Sequence, residues 1–428
     1  MLLQTNSVKK EEDVNIMATK EEWGSYEWKA VAILAVTFGI LSFDRWLIAP
    51  LFPVIMKDLN LNYQHLGNLN GILAVTWGIA SVILGGLSDK FGRRKVIIPA
   101  VIGFSIFSAF CGFATAFVGL LIVRALMGFV EGGFTPTAIA ATHEASKESR
   151  IGLNIGIQQC TFALIGLGLG PIIVTQLLKV VPTWHYVFYF SCIPGLIVAY
   201  ILYKVIRDPE YIQVQKTEEK QAWSEVFKYR NVILNMLALL GIMSYFFVIA
   251  GMIPNYLTDY LKLSIPEMGF VASAVGFGGC VGALGIPAIS DRIGRKPAVL
   301  IFFIIGIIAV VALINTGRNP GALFVLLFIV AACGFGNLIM NTAIISSESV
   351  PATLKASASG IPIGAGEIFG GGIAPVIAGY VANHYGIQYI LYIAIIGFVF
   401  SAIVSLFLKE TAPIKVGQTK ALNENEAV

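Results

Sequence analysis

Charged side chains are scarce in this sequence. Of its 428 residues, 13% are Asp, Glu, Lys or Arg, 57% are hydrophobic, and the mean hydropathy is +0.79. A soluble domain has about 25% charged residues, so this composition excludes the soluble class and indicates a membrane protein. The formal net charge of +4 is small and gives no reason to expect a nucleic-acid partner.

Histidine and cysteine are also few. The four histidines (His65, His143, His185 and His384) lie at the ends of apolar runs or in loops, which argues against a histidine proton relay. The five cysteines all fall inside apolar runs and form no Cys-x-x-Cys pair, so small apolar packing is their simplest interpretation. No His-Glu-x-x-His motif or Ser/His/Asp set lies in the runs. We therefore expect no enzyme activity, no metal and no cofactor. The first 29 residues lack the apolar core and small-residue cleavage site of a signal peptide.

Long apolar runs are abundant. An apolar run of about 18 residues or more crosses the roughly 30 Å hydrocarbon layer as a helix, and these runs are too long for the roughly ten-residue strands of a barrel. The sequence predicts an all-α integral membrane protein with twelve transmembrane helices, over 30–52, 66–87, 96–115, 117–140, 151–178, 185–203, 232–257, 268–289, 297–316, 321–345, 356–381 and 386–408.

Lysine and arginine are distributed unequally between alternate loops. With a cytoplasmic N-terminus, 23 of the 29 Lys and Arg residues lie in inner loops and tails, four lie in outer loops, and two lie within spans. The positive-inside rule therefore places both termini in the cytoplasm. We expect a multi-pass protein of the cell membrane, in contact with the lipid bilayer and monomeric.

The chain reads as two copies of one unit. Its longest polar interruption, 204–230, follows the sixth span, so we expect bundles over 30–203 and 232–408, a cytoplasmic loop over 204–231, and cytoplasmic tails over 1–29 and 409–428. "LSDKFGRRK" (87–95) after span two matches "ISDRIGRKP" (289–297) after span eight at an offset of 202. Glu144 and Glu348 occupy the same place after spans four and ten, and Pro171 matches Pro375. Internal repeats of this kind are typical of transporters, whose substrate site lies near mid-membrane between the halves.

The repeated loop resembles the loop signature of the major facilitator superfamily. The resemblance to this family extends over the chain from about residue 28 to residue 410. It implies that family's fold, two pseudo-symmetric six-helix bundles, and a gating role in which Asp89 contacts the other half and keeps the cytoplasmic side closed. Glycines such as Gly86 and Gly92 allow close helix approach and tight turns. A plainer interpretation, in which the motif only sets turns and topology, is compatible with gating. The candidate gating residues are Gly86, Asp89, Gly92, Arg93, Asp291, Gly294 and Arg295.

Five Asp, Glu, Lys or Arg residues lie deep within spans: Asp44, Arg45, Arg124, Glu131 and Glu367. Each costs about 2.5–3.5 kcal/mol at a helix centre, so we expect them to be used. Asp44 and Arg45 are neighbours and point about 100° apart on their helix. We hypothesise that Asp44 pairs with Arg124 while Arg45 faces the cavity. A structural interhelical network without a ligand is the alternative.

The stretch "RALMGFVEGGFTPT" (124–137), together with an arginine in span one, resembles the anion:cation symporter family within that superfamily. Its members carry organic anions such as sugar acids and aromatic carboxylates, mostly with protons. The resemblance implies that Arg45 binds the substrate carboxylate, that Asp44 and Glu131 are protonation sites, and that Arg124 tunes them. The "SFDRW" segment departs from the Asp-Gly-x-Asp of the aromatic-acid members.

Other polar residues in spans are weaker candidates for binding a hydroxylated substrate. These are Gln158, Gln159, Asn337, Asn341 and Glu367. The alternative role for the four amides is interhelical hydrogen bonding. The alternative role for Glu367 is contact with the first half. The function we expect is proton-coupled symport of a small organic anion by alternating access. A drug or metabolite antiporter is the alternative, and a membrane sensor without transport activity is a third.

Overall fold

The computed structural model describes residues 26–147, 150–207, 223–351 and 354–412, apart from the side chains of residues 89 and 356. Most of the predicted N-terminal tail (1–25 of 1–29), most of the central loop and the end of the C-terminal tail thus lie outside the described residues, as does the side chain of Asp89. Residues 26–29 of the predicted tail belong to the first helix. Within the described ranges the chain is helical, and the prediction of twelve helices long and apolar enough to span a membrane is confirmed. They are α1 (Tyr26–Asp58), α2 (Tyr63–Ser88), α3 (Arg94–Cys111), α4 (Phe117–Ala145), α5 (Ile151–Leu177), α6 (His185–Val205), α7 (Arg230–Tyr260), α8 (Ile265–Ile293), α9 (Arg295–Asn315), α10 (Pro320–Glu348), α11 (Ser357–His384) and α12 (Ile387–Ser405).

The internal repeat is visible in the caps of α2 and α8. Asn62 caps α2 by accepting from the His65 backbone N–H, and the His65 ring accepts from the Asn62 N–H in return. Ser264 and Glu267, at the same offset of 202, make the equivalent reciprocal pair at the start of α8. Two otherwise unsatisfied donors are paired at each start, which fixes where both helices begin.

The other ends of these helices also match. The helix that begins at Tyr63 continues beyond the span to Phe91. Gly92 ends it and Gly294 ends α8, with φ of 103° and 104°, a conformation that favours glycine. Each glycine N–H donates to a serine carbonyl one turn back, at 3.0 Å to Ser88 and 2.9 Å to Ser290. The predicted turn role of Gly92 and Gly294 is confirmed.

Helix α1 is interrupted by a turn at Leu47. Pro50 has no N–H to donate to the carbonyl of Trp46, and its ring crowds that carbonyl. The break lies directly after Asp44 and Arg45, so backbone groups beside the charged pair are available to other helices.

The two halves, α1–α6 and α7–α12, meet along three helix pairs: α2 with α11, α5 with α8, and α1 with α7. The end of the molecule that carries the loops 89–93 and 291–295 is called the basic end here. At the opposite end the pairs touch backbone to backbone. A side chain at Gly67 would collide with the carbonyl of Pro375, and a Cβ at Gly269 would lie 2.9 Å from the carbonyl of Pro171. The two contacts are related by the internal repeat, because Gly67 matches Gly269 and Pro375 matches Pro171.

The same helices separate toward the basic end. A Cβ built there on α2, α5, α8 or α11 would meet nothing within 4 Å at Gly86, Gly152, Gly156, Gly285, Gly360 and Gly364. The prediction that Gly86 permits close helix contact is therefore wrong for this conformation, because the halves are apart at that position. The molecule is closed at one end and open at the basic end.

Candidate functional site

The side chain of Arg45 crosses the boundary between the halves. It is 4% exposed, and its Nη2 lies 3.2 Å from Glu367 Oε2 on α11. Its guanidinium carbon lies 5.4 Å from the centroid of the Trp77 ring on α2 and 5.3 Å from that of Phe247 on α7. Two aromatic faces and a carboxylate thus fix the position of a charge that water does not reach. Glu367 therefore contacts the first half, which is one of the two roles considered for it.

Glu367 occupies an irregular, glycine-rich part of α11. It begins a π-helical segment, Glu367–Ile373, which contains Gly370, Gly371 and Gly372. A side chain at Gly370 would collide with α7 at Met243, and a Cβ at Gly371 would lie 2.8 Å from the Cβ of Ala74 on α2. The three glycines therefore let α11 approach helices of both halves, and this approach brings Glu367 to Arg45. Segments of π-helix occur frequently at functional sites.

Asp44 points away from this boundary. Its Oδ1 accepts from Ser108 Oγ on α3 at 3.0 Å, and Ser108 in turn contacts Ser191 on α6 at 2.8 Å. Its other oxygen has no hydrogen-bond partner among the described residues, and the residue is fully buried. The prediction that Asp44 and Arg45 face different directions is confirmed by these contacts.

The hypothesised pair between Asp44 and Arg124 does not form. Arg124 instead donates to the backbone carbonyl of Arg45 at 2.9 Å and to Asn70 Oδ1 on α2 at 3.3 Å. The physical reason is the break in α1, because the carbonyl of Arg45 sits beside the turn and takes the guanidinium as its partner. Arg124 thereby holds the backbone that carries both charged residues of α1.

Glu131 is fully buried, and neither of its carboxylate oxygens has a hydrogen-bond partner within the described part of the chain. The charges of Arg45, Arg124 and Glu367 act on it electrostatically. A buried carboxylate without a donor is costly, and in membrane proteins such groups mark proton or ion pathways. The structure therefore brings four of the five predicted residues into one electrostatic cluster, and Asp44 adjoins it.

The amide candidates fall into two groups. Gln158 and Asn337 are fully buried and their side-chain atoms have no hydrogen-bond partner among the residues that the structure describes. Asn341 donates to the carbonyl of Asn337 at 2.8 Å while its own oxygen is unpaired, and Gln159 is half-buried. The interhelical hydrogen bonds considered for Gln158 and Asn337 are thus absent from the described part of the chain.

The repeated loops at the basic end form matching ion pairs within each half. Arg93 binds Glu144 at 2.9 Å and Ser88 Oγ at 2.7 Å. Arg295 makes two bonds to Glu348, at 2.8 and 3.2 Å, and also binds Asp291 and Ser290. For Asp291 the recorded ion pair is thus with its own half, in a conformation where the halves are apart at this end.

Several contributors could not be found by searching spans for charge. Phe247 is an aromatic residue in an apolar run and looks like ordinary packing, while Ser108 and Asn70 are single polar residues whose partners lie on distant helices. From the sequence, Trp77 and Tyr245 are possible walls of the site, with aromatic packing as the favoured interpretation, and Trp77 does cover Arg45. Tyr245, by contrast, donates to the carbonyl of Val330 at 3.0 Å and is a packing residue.

Two six-helix halves around a buried charged cluster define a membrane transporter. The chain belongs to the Major Facilitator Superfamily, whose family model matches residues 34–361 and 237–426. It is 27% identical over 88% of its length to a Cupriavidus pinatubonensis protein named "Probable 4-methylmuconolactone transporter", covering 89% of that protein. It is 24% identical to the sialic acid transporter NanX of Escherichia coli, over 87% of this chain and 91% of NanX. The D-galactonate transporter of another E. coli strain is also 24% identical, with 90% and 96% covered.

Solved structures share the fold. A bacterial homologue of the human lysosomal transporter Spinster, in an inward-facing and occupied conformation, superposes with a TM-score of 0.74 at 17% identity, covering 89% of this chain and 96% of that one. A point mutant of the nucleoside transporter NupG gives 0.71 at 16% identity, with 87% and 98% covered.

Proposed function

We propose that this transporter carries a small organic anion together with protons, by alternating access. The observation that carries the proposal is Arg45, a buried arginine that is paired with Glu367 at the boundary between the halves. Counted together, the cluster and the adjoining Asp44 hold three carboxylates and two arginines. One excess negative charge is neutralised by one proton. The cluster can therefore couple proton binding to the binding of an anion.

Arg45 is the residue we propose for binding the substrate carboxylate. A guanidinium is planar, stays charged when buried, and donates two parallel N–H bonds to a carboxylate. The rings of Trp77 and Phe247 cover it and leave its edge for hydrogen bonds. Gln158, Gln159, Asn337 and Asn341 would serve the hydroxyl groups of the substrate. The unpaired atoms of Gln158 and Asn337 and the unpaired oxygen of Asn341 favour this role, because unpaired buried polar groups gain most when a ligand pairs them.

Asp44 and Glu131 are the proposed proton sites. Each has at least one carboxylate oxygen that accepts no hydrogen bond from the described part of the protein. Protonation of the carboxylate would neutralise this poorly stabilised buried charge. Arg124 holds the backbone of Arg45 and acts electrostatically on Glu131, so it links the two functions.

The positive-inside distribution makes the basic end cytoplasmic. The structure is then an inward-facing conformation in the cell membrane, with both termini in the cytoplasm. Gly86, Asp89, Gly92 and Arg93, with Asp291, Gly294 and Arg295, are the proposed gate that closes this end in the outward-facing state. The relatives support an anionic substrate, because galactonate and sialic acid are carboxylates at neutral pH.

The test is uptake into proteoliposomes under an imposed pH gradient, with a panel of D-galactonate, N-acetylneuraminate and benzoate-type carboxylates. We expect gradient-driven uptake of at least one class, and Arg45→Ala to weaken it about 10- to 150-fold, as befits hydrogen bonds to a charged group worth about 1.5–3 kcal/mol. Arg318→Ala, a 58% exposed arginine, is the matched control and should transport normally. Gradient-independent uptake, or uptake unaffected by Arg45→Ala, would contradict the proposal.

The second candidate, an antiporter that exports drugs or metabolites, makes a different prediction. It would move cations or neutral compounds against protons and would not need Arg45. Adding such compounds to the same panel separates the two functions.

A further inference from the structure

Glu367 is the one carboxylate of the described second half that lies deep within a span. It forms an ion pair with Arg45, the residue proposed to bind the substrate carboxylate. Its single bond to Arg45 at 3.2 Å joins α11 to α1, helices of opposite halves. The Glu367 side chain is 11% exposed and that of Arg45 is 4% exposed. Of the two partners, Glu367 is therefore the more accessible.

The charges around Glu367 restrict what can happen when an anion arrives. Arg45 on α1 acts directly on it, and the charge of Glu131 on α4 belongs to the same cluster. The other helices packed on this segment, α2 and α7, present apolar side chains, namely Ala74, Val75, Met243 and Phe247. If a substrate carboxylate binds Arg45 while Glu367 stays ionised, two anions share one buried cation. If Glu367 leaves while ionised, it becomes an unpaired buried charge, which is equally unfavourable.

We propose that Glu367 is a placeholder ligand of Arg45, which the substrate carboxylate replaces, and that Glu367 takes up a proton in the exchange. This inference rests on the proposed function and deepens it, since it assigns a proton site to the second half. In the step, a proton from solution forms an O–H bond on the Glu367 carboxylate, and the ion pair to Arg45 passes to the substrate. A monoanion and one proton enter together, so the charge of the cluster is unchanged.

The exchange also affects the contact between the halves. In the empty protein a charged bond joins α1 and α11, whereas in the loaded protein a neutral acid faces Arg45 and its anion. Because Glu367 begins the π-helical segment that packs on α2 and α7, loss of this bond releases a tie between the halves at mid-span.

The experiment measures proton uptake on substrate binding in weakly buffered detergent solution, using the best-bound carboxylate of the panel. Glu367→Gln should bind about one proton fewer per substrate than the wild type. The slope of log affinity against pH should fall by about one in this variant. Glu27→Gln is the matched control, since Glu27 is also fully buried and paired, with Arg150 at 2.7 Å, and it should leave the proton count unchanged.

A second measurement is spectroscopic. The infrared C=O band of a protonated carboxyl should appear when the wild type binds substrate, glutamate isotope labelling should shift it, and Glu367→Gln should lack it. Wild-type protein that binds a carboxylate with proton uptake, while Glu367→Gln keeps the same proton count and pH slope, overturns this inference and leaves the proposed function intact. Wild-type protein that takes up no proton with any carboxylate overturns both.

Discussion

The backbone contact between α2 and α11 makes Gly67 the sharpest test of the two-ended architecture. A Cβ at Gly67 would collide with the carbonyl of Pro375 and lie 3.2 Å from the Cα of Val376. A carbonyl cannot rotate away as a flexible side chain can, so Gly67→Ala forces the two helices apart where the molecule is closed. Overpacking of this kind costs about 1–3 kcal/mol. The substitution destabilises the conformation that is closed at this end and does not destabilise the conformation that is open at this end.

A shift of about 1–3 kcal/mol between two states changes their ratio about 5- to 150-fold. The reporter is Ala272→Cys in a background without other cysteines, because Ala272 is buried in the closed junction with Trp46 and Pro50. The rate at which a hydrophilic maleimide labels this thiol in detergent measures the open population. We expect Gly67→Ala to raise the labelling rate by a factor in that range.

Gly317→Ala is the control, since it makes the same substitution between α9 and α10, outside the proposed gate, where a Cβ meets nothing within 4 Å. It should leave the labelling rate unchanged. Equal rates for the two variants, with both proteins folded and monodisperse, would show that the contact at Gly67 does not hold this end closed.

Three further outcomes are expected. Cys160 and Cys280 lie on α5 and α8, which pack against each other across the boundary between the halves, and they should form a disulfide under a mild oxidant; after cleavage at a protease site placed in 208–222, the halves should stay joined on a non-reducing gel, and Cys160→Ser should abolish this. Arg295→Lys should lower the free energy of unfolding by about 1–2 kcal/mol in detergent, because lysine cannot reproduce the two bonds to Glu348; an unchanged melting temperature would contradict this. Gln158→Leu should stabilise the empty protein by about 1–3 kcal/mol while weakening substrate binding, because it removes an unpaired buried amide; destabilisation with normal binding would assign Gln158 a packing role.

The sequence predicted the fold well because the signals were local. Spans follow from runs of apolar residues, and the repeat follows from loops such as 87–95 and 289–297, whose glycines and arginines serve the same turn and ion pair in each half. Charge within the membrane is rare enough that Asp44, Arg45, Arg124, Glu131 and Glu367 could be identified without a structure.

The pairing of those residues could not be predicted from the sequence. Helical periodicity indicates that Asp44 and Arg45 diverge, but the partners lie 64 and 322 residues away along the chain. The hypothesised pair with Arg124 overlooked a backbone acceptor, because a carbonyl freed near Pro50 leaves no mark in a list of charged side chains.

Glu367 shows that an uneven distribution of charge along the sequence does not by itself assign the charged site to one half. Four of the five buried charges lie in the first half. The fold opposes α1 to α11 across the boundary, so the lone carboxylate of the second half meets the arginine of the first. A transporter that rocks two halves gains most from charges that face each other, because only such pairs change when the halves move. The asymmetry in sequence is therefore compatible with a coupling device shared between both halves, in which one side supplies the cation and the other the anion that substrate must replace.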